Sequence, residues 1–570
     1  MARMTEVLPH QDLMDEGLLV AFVPGAGVAV FVSHQWAGQG HPDPAFAQFR
    51  VLQELARRAS EGRLRIEKDL YTWVYSGEDK GIRASDMRGL GDDFQIWYDY
   101  FAVPQLKARI SASHRDADLS FDLKSDNSRA VASIPAYVER SDFFIVLAPD
   151  VEHADVPGEL LGYTSWKTRG WCRLERMARI LSRGSTHMLV ARRGDMLFEI
   201  GPQDYLLDPV GEGQFTVEAD KAKVVPVIES LFERKLADAE RDGHLSTYRV
   251  LKSLLPCVFR GLPAVRALER PPSAGGRADA VKAFLAAFAF PAAAGRAQAV
   301  LDEALLRAAA AGDVVAIRGL LDCSANIEAE EPLDMADKLV SRGHRALHNA
   351  ATHGHEEVVV ALVRRRAAIG AADPRGHTPL YCAASANAPG ALLALLEHRA
   401  DVDAPDRWGV SALGKAGLMS RKANMQELLA AGARPRIMNL MFASLFGNGE
   451  GVITTLLEAR CDPDRRFDHQ CTNPLHMYFN LRALPHRLFG ADIPSHADAF
   501  YYMNGTTALH CAAAQGNVAE GRALLRGGAS ADALSAHGAT AAELADVFGW
   551  PPAVRARFAE PVVRASFMEP

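Results

Sequence analysis

Apolar runs and helical spacings alternate over the first 200 residues of the chain. Short apolar runs rich in β-branched and aromatic residues predict four strands, at 28–36, 94–105, 143–149 and 187–193. Apolar residues at helical spacing predict helices at 44–59, at 127–142 with an interruption at Pro135, and from Gly170 onward. Strands that alternate with helices are typical of a parallel sheet with helices on its faces.

The second half of the chain repeats a pattern of two short apolar helices. The segment RGHRALHNAATHGHEEVVVALVRRRAAI begins at Arg342, and a similar segment begins at Arg375. Arg342 and Arg375 are 33 residues apart, and so are Gly505 and Gly538. Weaker copies include TNPLHMYFN at 472–480. One such helix pair cannot bury its apolar face alone, so the copies are expected to stack.

These patterns predict several domains, as expected for 570 residues. Amphipathic helices and a linker rich in Pro and Gly separate the two patterned halves. The predicted boundaries are a lead-in at 1–27, an α/β domain at 28–200 with an insertion at about 60–93, a helical extension at 201–269, a linker and helix at 270–300, about seven repeats at 301–555 and a tail at 556–570.

Composition adds constraints on the cellular context and on partners. The net charge of −7 gives no reason to expect nucleic-acid binding, because phosphate partners require a basic surface. Seven scattered cysteines without a CxxC motif indicate free thiols in a reducing compartment. No signal peptide and no membrane span is recognisable, so we expect a soluble, cytoplasmic protein that does not bind a membrane.

The repeat core G-x-T-P-L-H-x-A-A resembles ankyrin repeats over roughly residues 300–555. This resemblance implies an all-α solenoid that binds a protein partner on its concave face. It also implies that His348, His476 and His510, at the histidine position of the motif, tie neighbouring turns together. Cys461, His469, Cys471 and His476 match no compact zinc motif, and no metal site is predicted.

Polar residues at the ends of the predicted strands, including Ser33, His34 and Asp99, are expected at one edge of the sheet. Open parallel sheets bind ligands at that edge. The segments VFVSHQW, SIPAYVERSDFFIVLAP and YTSWKTRGWCRLE follow the order and character of Toll/interleukin-1 receptor (TIR) domains. The pair SHQW and WYDYFAVPQ is even more similar to the related heterokaryon-incompatibility domains. The resemblance implies an open, flavodoxin-like parallel sheet over residues 28–200, with self-association as one property.

Many TIR domains cleave NAD at the nicotinamide–ribose bond with a glutamate at the W-C-x-x-E position, which is Glu175 here. The resemblance therefore makes the chain a candidate NAD nucleosidase, with NAD as substrate and no cofactor. A carboxylate near the ribose can stabilise the oxocarbenium-like charge that develops as nicotinamide leaves. The candidate substrate-binding residues are Ser33, Trp36, Asp99, Tyr163 and Trp171.

A structural role for the same helix stays open. Trp171, Leu174, Ala178 and Leu181 form an apolar stripe that could pack on the sheet. Glu175 could pair with Arg179 four residues later, and Cys172 is more typical of a small buried residue than of a nucleophile activated by His34. Two functions remain: a signalling or defence protein with a partner-binding array and a TIR-like effector that hydrolyses NAD, or a non-enzymatic scaffold that uses both domains for assembly.

Overall fold

The computed structural model describes residues 4–21, 23, 27–68, 82, 86–87, 94–102, 121–183, 187–201, 206–263, 277–291, 297–335, 340–467 and 505–559. The chain divides into two compact units. The first unit comprises Met1–Gly243 and Val258–Glu269, and the second comprises His244–Cys257 and Arg270–Pro570.

Within the described ranges, the first unit is built on a sheet of six strands in the order β2-β8-β7-β4-β1-β3, and β5 and β6 form a separate two-stranded ribbon. The strands are β1 (Val28–His34), β2 (Arg65–Lys68), β3 (Phe94–Tyr98), β4 (Phe143–Leu147), β5 (Val151–Glu152), β6 (Leu160–Leu161), β7 (Met188–Arg193) and β8 (Met196–Ile200). The four predicted strand regions all contain strands, and β2, β5, β6 and β8 were not predicted.

The sheet is mixed, which corrects the prediction of a parallel sheet. Strands β3, β1, β4 and β7 are parallel to one another, but β7 and β8 pair antiparallel. Only Gly194 and Asp195 separate β7 from β8, and two residues suffice for a hairpin but not for a parallel crossover. Strand β2 then pairs parallel with β8 at the edge.

In the described part of this unit, seven α-helices accompany the sheet: α1 (His10–Asp15), α2 (Ala47–Ser60), α3 (Asp99–Ala102), α4 (Phe121–Arg140), α5 (Tyr163–Thr168), α6 (Gly170–Ile180) and α7 (Asp220–Arg241). The strand predicted to run to residue 105 ends at Tyr98, because Asp99 begins α3. The Asp99 carboxylate accepts a hydrogen bond from the Tyr100 backbone N–H at 2.5 Å. Pro135 lies inside the continuous helix α4.

The two faces of the sheet bury different side chains, as the two-residue period of a strand requires. On one face, Val30 and Val32 pack with Phe49 and Leu52 of α2. On the other face, the Phe31 ring stacks on the Trp97 ring, with ring centroids 4.2 Å apart. The strand β1 therefore lies between two apolar layers, and its polar residues Ser33 and His34 lie where β1 ends.

The described part of the second unit contains seven helix pairs that stack on one another. Two helices, α8 (Leu245–Ser253) and α10 (Arg277–Ala287), precede them, while α9 (Leu255–Val258) crosses the boundary between the units in the sequence. The pairs are α11–α12 (Gln298–Ala310, Val314–Asp322), α13–α14 (Ala346–Thr352, Glu356–Arg364), α15–α16 (Pro379–Ser385, Pro389–Glu397), α17–α18 (Ala412–Leu418, Lys422–Ala430), α19–α20 (Ile437–Phe446, Glu450–Glu458), α21–α22 (Ala508–Ala514, Val518–Arg526) and α23–α24 (Ala541–Val547, Pro552–Ala556).

The pair α19–α20 packs directly on α21–α22, although the two pairs are far apart in the sequence. Asn517, just before α22, donates hydrogen bonds to the carbonyls of Ser444 and Leu445 at 2.8 and 3.1 Å. The weak copy predicted at 472–480 lies outside the described residues. No helix in the described ranges is both long and apolar enough to cross a bilayer.

Candidate functional site

Glu175 of α6 forms a buried hydrogen-bond network with residues of two other elements. The Ser33 hydroxyl at the end of β1 donates to Glu175 Oε2 at 2.5 Å. The Trp166 indole N–H of α5 donates to Ser33 Oγ at 3.0 Å. Ser33 is 1 %, Trp166 0 % and Glu175 9 % exposed, so a hydroxyl, an indole and a carboxyl meet in a nearly dry environment.

Local sequence positions the carboxyl of Glu175 next to the sheet. A Cβ at Gly170 would lie 2.1 Å from the Phe215 ring, so only glycine allows this close approach at the start of α6. From that start, Leu174 and Ala178 are buried at 0 % and 1 % exposure, as the predicted apolar stripe requires. Glu175 follows Leu174 and is thereby brought to Ser33, 142 residues earlier in the chain.

The environment of Glu175 favours its neutral form. Burial raises the pKa of Glu175 to about 8, the Ser33 hydroxyl opposes this by hydrogen bonding, and the negative charge of Asp99 adds to the rise. At neutral pH the carboxyl is therefore largely protonated. Ionisable groups with strongly shifted pKa values are concentrated at functional sites, although structural networks also shift them.

A second polar cluster lies beside the first. His34 Nε2 is 2.6 Å from Asp99 Oδ1, and the Trp36 indole N–H donates to Asp99 Oδ2 at 3.2 Å. The imidazole of His34 stacks on the Tyr98 ring, with centroids 4.0 Å apart. Burial alone would raise the pKa of Asp99, but His34 and Trp36 together lower it. Since Ser33 and His34 are consecutive in a strand, their side chains lead to two different clusters.

The structure separates the remaining predicted substrate-binding residues. The Tyr163 ring stacks on Trp166, with centroids 5.8 Å apart, so Tyr163 adjoins the Ser33–Glu175 network. Trp171 instead packs edge-to-face on Phe215 at 5.9 Å. The predicted set thus falls into three groups: Ser33 and Tyr163 with Glu175, Trp36 with Asp99, and Trp171 with Phe215.

The geometry also bears on the two alternative roles of α6. Within the described structure no salt bridge joins Glu175 and Arg179; Arg179 instead donates to backbone carbonyls, among them those of Ser141 and Asp142. The Cys172 thiol contacts the His34 backbone carbonyl at 3.6 Å rather than the imidazole. Burial raises the pKa of the Cys172 thiol well above its usual range, and nearby Glu175 raises it further. An activated Cys172–His34 pair is therefore not formed.

Two contributors to the site were not singled out as site residues from the sequence. Trp166 is not among the predicted site residues, yet its indole N–H donates to Ser33 Oγ. Gln35 donates to the Gly162 carbonyl and to Ser165 Oγ, both at 2.9 Å, and so ties β1 to the start of α5. The sequence offered one signal for them: Gln35 lies close to Ser33, and Trp166 lies close to Tyr163.

In the second unit, the motif histidines connect neighbouring turns. His348 Nε2 is 3.1 Å from the carbonyls of Ala371 and His377 in the next turn. His510 Nε2 is 3.0 Å from the Ala539 carbonyl. Burial lowers the pKa of His348 to about 3, which keeps its imidazole neutral. His476 lies outside the described residues.

Comparison with known proteins identifies parts of the second unit. A family model described as ankyrin repeats (3 copies) matches residues 305–406 and 347–439, and a model described as ankyrin repeat matches residues 504–536. These segments are ankyrin repeats. Ankyrin repeats typically bind protein partners, so this part of the chain indicates a role in protein–protein interaction.

A solved structure similar to the chain is the crystal structure of the human ASB11 ankyrin repeat domain. The match has 21 % sequence identity and a TM-score of 0.32, and it covers 45 % of this chain and 95 % of that one. No curated protein matches the chain.

Proposed function

We propose that the chain is a signalling or defence-type protein in which the ankyrin array binds a protein partner and the sheet unit is a TIR-like effector that hydrolyses NAD at the nicotinamide–ribose bond. The observation that carries this proposal is the buried Ser33–Glu175–Trp166 network at the end of β1. A buried carboxyl beside a tryptophan and a hydroxyl offers the groups that a glycoside-cleaving site needs.

The topology around β1 supports a TIR-like, flavodoxin-like unit. The parallel part of the sheet has the strand order β3-β1-β4-β7. Strand β1 therefore lies between β3 and β4, and both of these strands follow it in the chain. The strand order thus reverses at β1, and in open α/β sheets ligands bind at the carboxyl ends of strands beside such a reversal. Ser33 lies at the end of β1, and Asp99 directly follows β3.

The reaction would transfer the ADP-ribosyl group of NAD to water. The C1′–N bond breaks, nicotinamide leaves with the bonding electron pair, water forms the new C1′–O bond, and one proton is released. Ionised Glu175 would stabilise the positive charge that develops on the ribose ring. The pyridinium charge of bound NAD favours this ionised form, since a nearby positive charge lowers the pKa of a carboxyl.

Nicotinamide release from NAD by the purified full chain tests this proposal. Glu175→Gln keeps the size of the side chain and removes its negative charge, and we expect turnover to fall at least about 100-fold. Glu139→Gln, which changes a glutamate paired with Arg234 in the same unit, is the matched control and should keep wild-type turnover. For the wild type, kcat/KM should increase as the pH rises through about 8, because ionisation of Glu175 in the free protein is required.

Equal turnover in the wild type and Glu175→Gln would contradict the proposal. The measurement is repeated at several protein concentrations, because an effector that acts by self-association gains activity per molecule as the concentration rises. Circular dichroism and thermal melting of each variant establish that a loss of turnover does not come from unfolding.

A non-enzymatic scaffold is the second candidate, and the burial of Glu175 favours it. The carboxyl is 9 % exposed and already accepts a hydrogen bond, as expected for a group that fixes α6 on the sheet. This function predicts no nicotinamide release at any concentration, together with self-association of the folded chain in light scattering. Glu175→Gln would then leave the self-association unchanged.

A further inference from the structure

Three potential metal ligands from two consecutive repeats converge in the ankyrin array. His344 and His377 occupy the same position of consecutive repeats, and Asp373 lies in the turn before His377. Asp373 Oδ2 is 3.5 Å from His344 Nε2 and 3.2 Å from His377 Nδ1. One donor atom from each of the three residues lies within 4.8 Å of the others.

The carboxylate at the centre of this group is buried and only half satisfied. The side chains of His344 and Asp373 are 5 % and 0 % exposed, and among the described residues Asp373 Oδ2 has no hydrogen-bond partner. Asp373 Oδ1, in contrast, accepts the backbone N–H groups of Arg375 and His377 at 2.9 and 2.8 Å. These bonds hold the carboxylate so that its other oxygen is directed between the two imidazoles, and a buried carboxylate oxygen without a partner is unfavourable.

We propose that His344, Asp373 and His377 bind a zinc ion. Tetrahedral zinc with bonds of about 2.0–2.2 Å to nitrogen and oxygen places neighbouring ligand atoms roughly 3.3 Å apart. The observed separations of 3.2 and 3.5 Å match this spacing. Cys382 Sγ lies 3.9 Å from His344 Nε2, but it does not lie within 4.8 Å of all three donor atoms and is not assigned as a ligand.

A zinc ion at this position would connect two adjacent repeats. His344 belongs to the repeat that contains α13, whereas Asp373 and His377 belong to the next, which contains α15. The stability of a repeat array depends on the interfaces between neighbours, so the metal would stabilise this interface in particular. The inference is independent of the proposed NAD hydrolysis, because none of these residues lies in the sheet unit.

Zinc content and zinc affinity of the full chain test the inference. After removal of metal with a chelator, the wild type should bind one zinc ion in competition with a chromophoric chelator. Asp373→Asn keeps the Oδ1 acceptor for the two backbone N–H groups but weakens the ligand, and we expect zinc affinity to fall at least about 10-fold. His398→Asn, at an exposed histidine that directly follows α16, is the matched control and should bind zinc like the wild type.

The inference is overturned if the wild type binds no stoichiometric zinc, or if Asp373→Asn binds it as tightly as the wild type. Zinc should also raise the melting temperature of the wild type and not that of Asp373→Asn, a readout that does not depend on any activity.

Discussion

The sheet unit and the ankyrin array bury polar groups in different ways. In the sheet unit, Ser33, Trp166 and Glu175 come from three elements and meet at one place. In the array, single polar side chains that precede or lie in second helices each bind one or more backbone carbonyls of the preceding repeat. Examples are His355 to Ala310, Arg421 to Ser385, Asn424 to Ala386 and Asn517 to Ser444.

This difference determines how far the effect of a single substitution extends. In a converging network, the removal of one group leaves several buried partners unsatisfied, and the effects of substitutions are not additive. In the array each contact joins two neighbouring repeats, so its loss affects one interface.

We expect the largest loss of stability at a buried ion pair of the array, which differs from the array's usual contacts between a side chain and a backbone carbonyl. Arg307 of α11 and Glu331 form an ion pair in which both side chains are 1 % exposed. Glu331→Gln leaves the Arg307 charge buried without a carboxylate, which should destabilise the array by about 3–5 kcal/mol. Urea denaturation monitored by circular dichroism measures this change.

The adjacent Glu330 provides the control for this pair. Its side chain is 59 % exposed and contacts Arg345, so Glu330→Gln should change the free energy of unfolding by less than about 1 kcal/mol. Similar effects of the two substitutions would mean that burial does not determine how much these ion pairs contribute to stability.

A pH-dependent effect is expected next, in the sheet unit. Because the pKa of Glu175 is raised from 4.5 to about 8, its contribution to stability is complete below pH 4.5 and is lost as the pH rises through 8. Glu175→Gln resembles the protonated side chain and lacks this titration. The wild type should therefore lose on the order of 3 kcal/mol relative to Glu175→Gln between these pH values. Thermal melting of both proteins as a function of pH measures it, and parallel curves would contradict it.

The array should show a pH effect with the opposite sign. The pKa of His348 is lowered from 6.5 to about 3, mainly by burial, so the neutral imidazole stabilises the array fully above pH 6.5. This stabilisation decreases as the pH falls from 6.5 toward 3. His348→Leu, which has no donor, should be less stable than the wild type by about 1–3 kcal/mol at neutral pH, since buried carbonyls lose their donor. The difference should shrink in acid, and a difference that does not depend on pH would contradict this assignment.

The repeats could be predicted from the sequence because their contacts are local and periodic. The constant repeat interval gives both the helix pairs and the position of His348, whose hydrogen bonds to the next turn were expected. The same regularity did not reveal the cluster of His344, Asp373 and His377. His344 and His377 are a repeat length apart rather than in a compact motif, so only the stacking of the repeats brings them together.

Most strands of the sheet in the first unit could be predicted from the sequence, but the topology of that sheet could be predicted only in part. The apolar runs gave β1, β3, β4 and β7, whereas the short strands β2 and β8 and the antiparallel hairpin depend on pairing between distant segments. Periodicity also cannot show that Ser33 meets Glu175 across 142 residues. The resemblance to TIR domains selected Glu175, but the division of the other candidates into three groups required side-chain positions.

The smallest difference we predict compares two buried serines of the sheet unit. The Ser33 hydroxyl connects Glu175 and Trp166, whereas the Ser141 hydroxyl donates only to the Tyr137 carbonyl, four residues earlier. Ser33→Ala leaves a buried indole N–H and a buried carboxyl without their partner and should cost about 1–2 kcal/mol. Ser141→Ala should cost at most about 0.5 kcal/mol, because the Tyr137 carbonyl loses only a bond from within its own turn. Urea denaturation of both variants measures the difference. Equal values would show that the convergence of three elements on Ser33 does not amplify the effect of a substitution. The different ways in which the two units bury polar groups would then not determine how far such an effect extends.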